Sequence, residues 1–343
     1  MRRMRPAVIL LAVTLLAAFF SAAAIAQEIK IASLAPDGTA WMKAMRAAGD
    51  AIAKETRGRV QFKFYPGGVM GNDSTVLRKM QIGQLHGGAV TMLALARVYP
   101  DSQILGLPLL FRSNEEVDYV RTRIEPTLLA GFDQNNLIVF GFVEGGFAHL
   151  MSKTPVRRIA ELRAEKVWAP EGDPITRTLF EVAGIVPVVL PLADVYTGLQ
   201  TGLLTAVGVP AAGAIALQWH AKTKYFTDLP FFYTAGALAI DKRTFARLSP
   251  EDQTAVRDTM RSTFQQLDRA SRKDDEAARA ALKNHGIEFV RLAPDDLREI
   301  ERIAAEARVQ LGQKGLYTPS LLSTVEGHLR DFRAKANAAG AGR

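Results

Sequence analysis

Apolar and polar residues alternate from Glu28 to Leu34, a period of two that predicts a strand. Pro36-Asp37-Gly38-Thr39 is a turn with two candidate caps, and Trp41, Met42, Met45, Ala48 and Ile52 then recur at helical spacing. Val60 to Tyr65 alternates again, Asn72 to Ile82 is helical, and Gly87 to Leu93 is a short apolar strand. An apolar connector, Pro100 to Phe111, leads to a helix over 115–129 and a strand over 137–143. This β-α-β-α-β order predicts an α/β domain with a largely parallel sheet.

A second unit of the same kind begins near Ser152. Its strands are predicted at 165–169, 186–190, 204–209 and 231–240, and its helices at 174–183 and 192–201. The pattern then changes. Ser249-Pro250-Glu251-Asp252 places a cap, a first-position proline and two acids where a helix should start. No breaker follows until Gly286, about 36 residues or roughly 54 Å of helix, long enough to cross two domains. A strand at 287–292, helices at 295–311 and 319–335, and a small polar tail over 336–343 expected to fray complete the chain. Two α/β units sharing one long helix imply a cleft between them, where small ligands commonly sit.

Composition narrows the setting. Arg2, Arg3 and Arg5, the apolar run Ala7 to Phe20 and the exit Ala24-Ile25-Ala26 are the three parts of a secretory signal, with cleavage expected after Ala26 and a periplasmic mature protein. The chain has no cysteine, which excludes a lipid-modified terminus and any disulfide. The net charge of +8 is dispersed among acids, as in Arg163, Glu165 and Lys166, so nucleic acid is not an expected partner. No G-x-S-x-G elbow is present, and the five histidines lack the i,i+3 or i,i+4 spacing of a helical metal pair. No catalytic residue, metal or cofactor is therefore assigned. Glu171 and Asp173 are close in sequence, but Asp173 before Pro174 fits a helix cap.

Five segments in order resemble the extracytoplasmic solute receptors of TRAP transporters, the family of C4-dicarboxylate-binding proteins. They are Ala32 to Trp41, Phe64 to Leu85, Leu107-Pro-Leu-Leu-Phe111, Pro191 to Gly202, and Leu248 to Gln253. The resemblance implies a two-lobed periplasmic binding protein. Each lobe would be a mainly parallel sheet flanked by helices, joined by hinge strands and the long shared helix. Lobe I would take 27–151 and about 237–275, lobe II 152–236 and about 276–335. It further implies closure on a small molecule, delivery to separate membrane permease subunits, and no enzymatic activity.

The departures bear on the ligand. Where the family strand reads K-x-R-x-P and clamps a carboxylate, this chain reads Lys166-Val-Trp168-Ala-Pro170. The S-K-R-P and G-F-R-H arginines are matched by Thr154 and Ala148. A carboxylate without partners is strongly disfavoured, so the expected ligand is uncharged, cationic or largely apolar rather than a simple dicarboxylate. Trp168, Phe147 and Val209 would line the pocket, with Trp168 stacking on the ligand or facing a cation. Thr91 and Glu144 are candidates for orienting polar contacts, and Glu144 or Glu171 for pairing an amine. Trp41, after the first strand, and Phe232, beside the expected hinge, complete the candidates, although Trp41 equally fits a helix core with Met45 and Ala48. A periplasmic carrier of lipophilic molecules on the same fold, and a hydrolytic enzyme in the cleft, are the alternative readings.

Overall fold

The computed structural model describes residues 26–341. The expected signal segment lies outside them apart from Ala26. The first part of the chain forms β1 (Gln27–Ser33), α1 (Ala40–Glu55), β2 (Val60–Tyr65), α2 (Asp73–Gln81), β3 (Gly87–Thr91) and α3 (Met92–Leu95). A 3-10 segment (Pro100–Gly106) precedes α4 (Asn114–Gln134), β4 (Leu137–Val139) and β5 (Val143–Ser152). Next come α5 (Ile159–Ala164), β6 (Trp168–Pro170), α6 (Pro174–Ala183), β7 (Val188–Leu190), α7 (Val195–Thr201), β8 (Ala206–Val209) and α8 (Ala211–Ala216). The last part holds β9 (Tyr225–Asp241), α9 (Lys242–Ala246), α10 (Pro250–Asn284), β10 (Glu288–Val290), α11 (Pro294–Gln313) and α12 (Pro319–Ala341).

Local chemistry sets many of these boundaries. Thr39, Asn72, Ser113, Asp173 and Ser249 each accept a hydrogen bond from a backbone N–H of the helix they open, which satisfies an otherwise unpaired donor. Gly184 ends α6 in the left-handed conformation that a Cβ disfavours. Thr91 likewise caps α3, so the strand expected to reach Leu93 stops at Thr91.

One sheet runs in the order β2-β1-β3-β9-β5-β8, with β4 and β10 also paired to β9, and β6 and β7 form a separate pair. In lobe I, β1, β2 and β3 are parallel, and β9 runs against both β3 and β4. In lobe II, β9 and β10 are parallel, as are β6 and β7, while β5 runs against β8 and β9. Each lobe is thus a mainly parallel sheet with one reversed strand, and the reversed strands are the two that cross between lobes. The ladder between them shifts register from Ala148↔Phe232 to Leu150↔Thr227, around Pro230, which has no N–H to donate.

Helices cover both faces in both lobes. Ile31, Ile52 and Met260 belong to one core of lobe I, and Leu105, Leu128 and Phe132 to the other. In lobe II, Leu162, Phe180 and Ile303 pack on one side and Trp168, Val207 and Trp219 on the other. α10 serves both lobes: Val256, Met260 and Phe264 are buried in lobe I, Ala278 and Leu282 in lobe II. This is the shared helix expected from its unbroken pattern.

Three features differ from expectation. β4 and β5 are separate strands, divided at Gly141 (φ 141°), and β5 carries the chain from one lobe into the other along its length. The segment 319–335, expected with lobe II, packs on lobe I: Arg333 donates to both oxygens of Glu116 at 2.7 and 2.8 Å, and Phe332 lies 5.2 Å from the Tyr119 ring. The helix runs on to Ala341, six residues into the segment 336–343 expected as a tail.

Candidate functional site

A cavity of about 570 Å³ opens between the lobes. Its lobe I wall is built from the start of α2, the β3–α3 junction and the 3-10 segment; its lobe II wall comes from β6, α6 and the loop around Pro191. Phe231 to Ala235 of β9 line its floor, at the strand that joins the lobes.

The two walls differ in chemistry. Trp168 stands on the lobe II wall, 7 % exposed, with its indole N–H donating to the Leu190 carbonyl at 2.9 Å. Its ring meets Trp219 edge-on at 5.3 Å, so the indole is held from behind and presents an apolar surface. Val209, from the same core, extends that surface, whereas Leu179, Phe180 and Ile185 reach the cavity from the other core of lobe II. Asp173 also lines it, but its oxygens are occupied by the Ile175 and Thr176 amides (2.9 and 3.3 Å) and the Thr176 hydroxyl (2.5 Å). Burial raises its carboxyl above the ordinary value.

The lobe I wall mixes apolar residues such as Leu34, Met92 and Leu105 with polar groups. Thr91 donates its hydroxyl to Asp73 Oδ2 at 2.7 Å, and the Thr91 amide donates to the same oxygen at 3.1 Å. Asp73 Oδ1 is buried with no partner among the described residues. Gln103 is 4 % exposed; its Nε2 donates to the Leu316 carbonyl at 3.5 Å, while its Oε1 has no partner among the described residues. Both of these unpaired oxygens are buried within the lobe I side of the cleft. Arg97, just past α3, adds the guanidinium on that wall.

Five of the eight candidate residues, Trp168, Val209, Thr91, Glu171 and Phe232, are on the cavity wall. The other three are placed elsewhere. Glu144 is buried against Arg272, whose Nε and Nη2 donate to it at 2.7 and 2.9 Å, and Tyr233 donates its hydroxyl to Oε2 at 3.2 Å. Its capacity is spent within the protein. Burial, then the Glu144 carboxylate, hold the Tyr233 phenol well above its ordinary range, so it remains a donor. Phe147 packs edge-on against Tyr233 at 5.6 Å, behind the lining residue rather than on the wall. Trp41 stacks on Phe264 at 6.0 Å, next to the lobe I core shared with α10. The bulge in β5 between Glu144 and Gly146 sets which side chains of this strand face the cavity, and strand alternation alone does not reveal it.

Asp73, Gln103 and Arg97 were not singled out from sequence. Asp73 reads as a first-turn helix acid and Gln103 as part of an apolar connector, and only the fold brings them to one wall. Among the described residues no helix is long and apolar enough to cross a membrane, and no group of three His, Asp or Glu side chains is placed to hold a metal ion.

Residues 31–310 match the family model described as bacterial extracellular solute-binding protein, family 7 (DctP). The chain is similar to the 2,3-diketo-L-gulonate-binding periplasmic protein YiaO of Escherichia coli, 24 % identical over 281 residues, covering 80 % of this chain and 84 % of that one. Its fold is similar to that of a TRAP periplasmic solute binding protein from Ochrobactrum anthropi (TM-score 0.80, 23 % identity, 91 % and 97 % of the two chains), whose C-terminus is bound in the ligand binding pocket. It is similar also to the TRAP protein of Desulfovibrio salexigens with bound orotic acid (TM-score 0.80, 18 % identity, 89 % and 99 %). Two α/β lobes around a walled cavity, joined by crossing strands and a shared helix, agree with the family match: the chain belongs to the DctP family of bacterial extracellular solute-binding proteins and has the fold of TRAP periplasmic receptors.

Proposed function

We propose that this protein is the periplasmic receptor of a TRAP-type transporter, exported with cleavage after Ala26, and that it closes over a small organic ligand with an apolar or aromatic body. It hands that ligand to membrane permease subunits. What supports the ligand class is Trp168, a buried indole on the lobe II wall, in a strand whose Lys166-Val-Trp168-Ala-Pro170 resembles the family's arginine-bearing K-x-R-x-P pattern. Arginine suits a carboxylate because its planar fork makes two parallel charge-assisted hydrogen bonds, which an indole cannot replace. A simple dicarboxylate would meet apolar surface on this side, whereas a ring or branched chain would remove that surface from water. β5, β9 and α10 are the elements about which closure would occur.

The cavity volume of about 570 Å³ also bears on the alternative carrier reading. It lies within the range of ordinary small-molecule sites, roughly 300–1,000 Å³, which favours a compact ligand over a long lipid. The test is a thermal-shift screen of the mature protein against small dicarboxylates and against aromatic or apolar compounds, the latter both charged and neutral. A ligand at 100 times its dissociation constant stabilises by about 2.7 kcal/mol, a readable shift. Response to the aromatic panel, lost in Trp168→Ala, supports the reading; a strong response confined to simple dicarboxylates overturns it.

A further inference from the structure

Arg97 differs from the other arginines that bridge elements of this fold. Arg59 is held by Asp252, Arg121 by Asp268, Arg272 by Asp118 and Glu144, Arg279 by Asp228, and Arg333 by Glu116. The Arg97 guanidinium lies on the cavity wall and makes no hydrogen bond or ion pair with the described residues. None of the three carboxylates that line the same cavity pairs with it, and Glu171, next in sequence to Gly172, makes no ion pair with it. Asp73 Oδ2 is engaged by Thr91, and both oxygens of Asp173 are engaged by the start of α6.

Its position is as informative as its lack of partners. Arg97 belongs to lobe I, yet its Nη2 comes so near Gly172 of lobe II that a Cβ there would sit 2.9 Å from it. Gly172 has a φ of 76° and no side chain, so the loop leaves room for a guanidinium to reach across the cleft. A planar fork where the two walls approach has the donors a carboxylate needs.

We propose that Arg97 is the anion anchor of this receptor: it takes a single carboxylate of the ligand at the point where the lobes meet. The rest of the ligand lies against Trp168 on the lobe II wall. The ligand class is then an amphipathic monocarboxylate. The apolar half of this proposal rests on the function proposed above, whereas the arginine half stands without it.

The experiment is calorimetric titration of mature wild type, Arg97→Gln, Arg97→Lys and Trp168→Ala with four probes: 3-phenyllactate, 2-phenylethanol, succinate and D-galacturonate. Arg97 is exposed and unbonded through its side chain, so the unliganded melting temperatures of its two variants should match wild type. The expected result is that Arg97→Gln weakens 3-phenyllactate roughly ten- to hundredfold, as loss of charge-assisted hydrogen bonds implies. Arg97→Lys should recover part of that loss, and 2-phenylethanol should be unaffected by either. If wild type instead binds only succinate or galacturonate, the apolar reading fails, and the arginine is judged by whether Arg97→Gln weakens that acid by the same factor. Unchanged affinity of any bound carboxylate in Arg97→Gln, or a wild-type protein that binds no carboxylate at millimolar concentration, overturns the anchor.

Discussion

Arg272 holds Glu144 through two hydrogen bonds, Nε to Oε1 at 2.7 Å and Nη2 to Oε2 at 2.9 Å, across 128 positions of sequence. The pair fastens α10 to β5, the shared helix to a crossing strand. Arg272 also reaches Asp118 at 2.6 and 2.7 Å, and Tyr233 closes the network on the cavity side. The hydrogen bonds to Asp118, then those to Glu144, hold the Arg272 pKa above its ordinary value. Glu144→Gln should therefore act on stability. Removing one member of a buried pair costs about 3–5 kcal/mol at full burial, and with Arg272 partly exposed and still paired to Asp118 we expect about 2 kcal/mol. Chemical denaturation measures this, with ligand affinity expected within twofold of wild type. A tenfold affinity loss at unchanged stability would return Glu144 to the binding site.

Trp168 packs in the lobe II core and, in the proposed function, also meets the ligand. Trp168→Ala removes a buried indole and its bond to the Leu190 carbonyl, and should destabilise by about 3–5 kcal/mol. Trp168→Phe keeps the apolar wall and should cost much less. Melting curves of the two variants, with and without an aromatic probe, separate the roles: the phenylalanine variant should still respond to the probe.

Gly172→Ala tests the crossing point of the cleft. The left-handed φ of 76° costs a non-glycine residue about 1 kcal/mol, while contact with Arg97 Nη2 is relieved by moving a flexible side chain. We expect a small loss of stability and a larger loss of affinity for any carboxylate ligand. A fall in melting temperature with affinity intact would separate Gly172 from the site.

His149 supplies a pH dependence. It is buried on β5, with its ring 4.6 Å from Phe226 and Nε2 3.3 Å from Arg279 Nη1, while Asp228 sits on the far side of that arginine. Burial, then the Arg279 charge, lower its pKa from 6.5 to about 4. Between those values the unfolded chain binds a proton that the folded chain refuses, so stability falls as pH drops from about 6.5 towards 4. The contribution is on the order of 3 kcal/mol at its fullest. Denaturation midpoints across that window should flatten in His149→Gln; an unchanged slope would place the acid sensitivity in other groups.

The fold was legible where short-range chemistry and periodicity agree. The range of α6 follows from Asp173, Pro174 and Gly184, and α10 from its cap and unbroken pattern. α8 and α9, with 6 and 5 residues, are too short to show a period. The lobe allegiance of α12 depends on Glu116 meeting Arg333, 217 positions away, and no local pattern encodes that contact. The site divides in the same way. Trp168 stands out in sequence because it falls in a segment that resembles the family's strand pattern, and the structure puts it on the cavity wall. The charge of Glu144 is visible in sequence and its partner Arg272 is not, and the lack of partners at Arg97 is visible only in three dimensions.

The central claim, a cleft built for a ligand with an apolar body, is tested most directly by measuring succinate and 3-phenylpropionate affinities of the mature protein side by side in wild type and Trp168→Ala. The account predicts that wild type prefers 3-phenylpropionate by at least roughly tenfold, a difference of about 1.4 kcal/mol, and that the preference disappears in the variant. Tight succinate binding with no response to the phenyl compound, unchanged by Trp168→Ala, would contradict it.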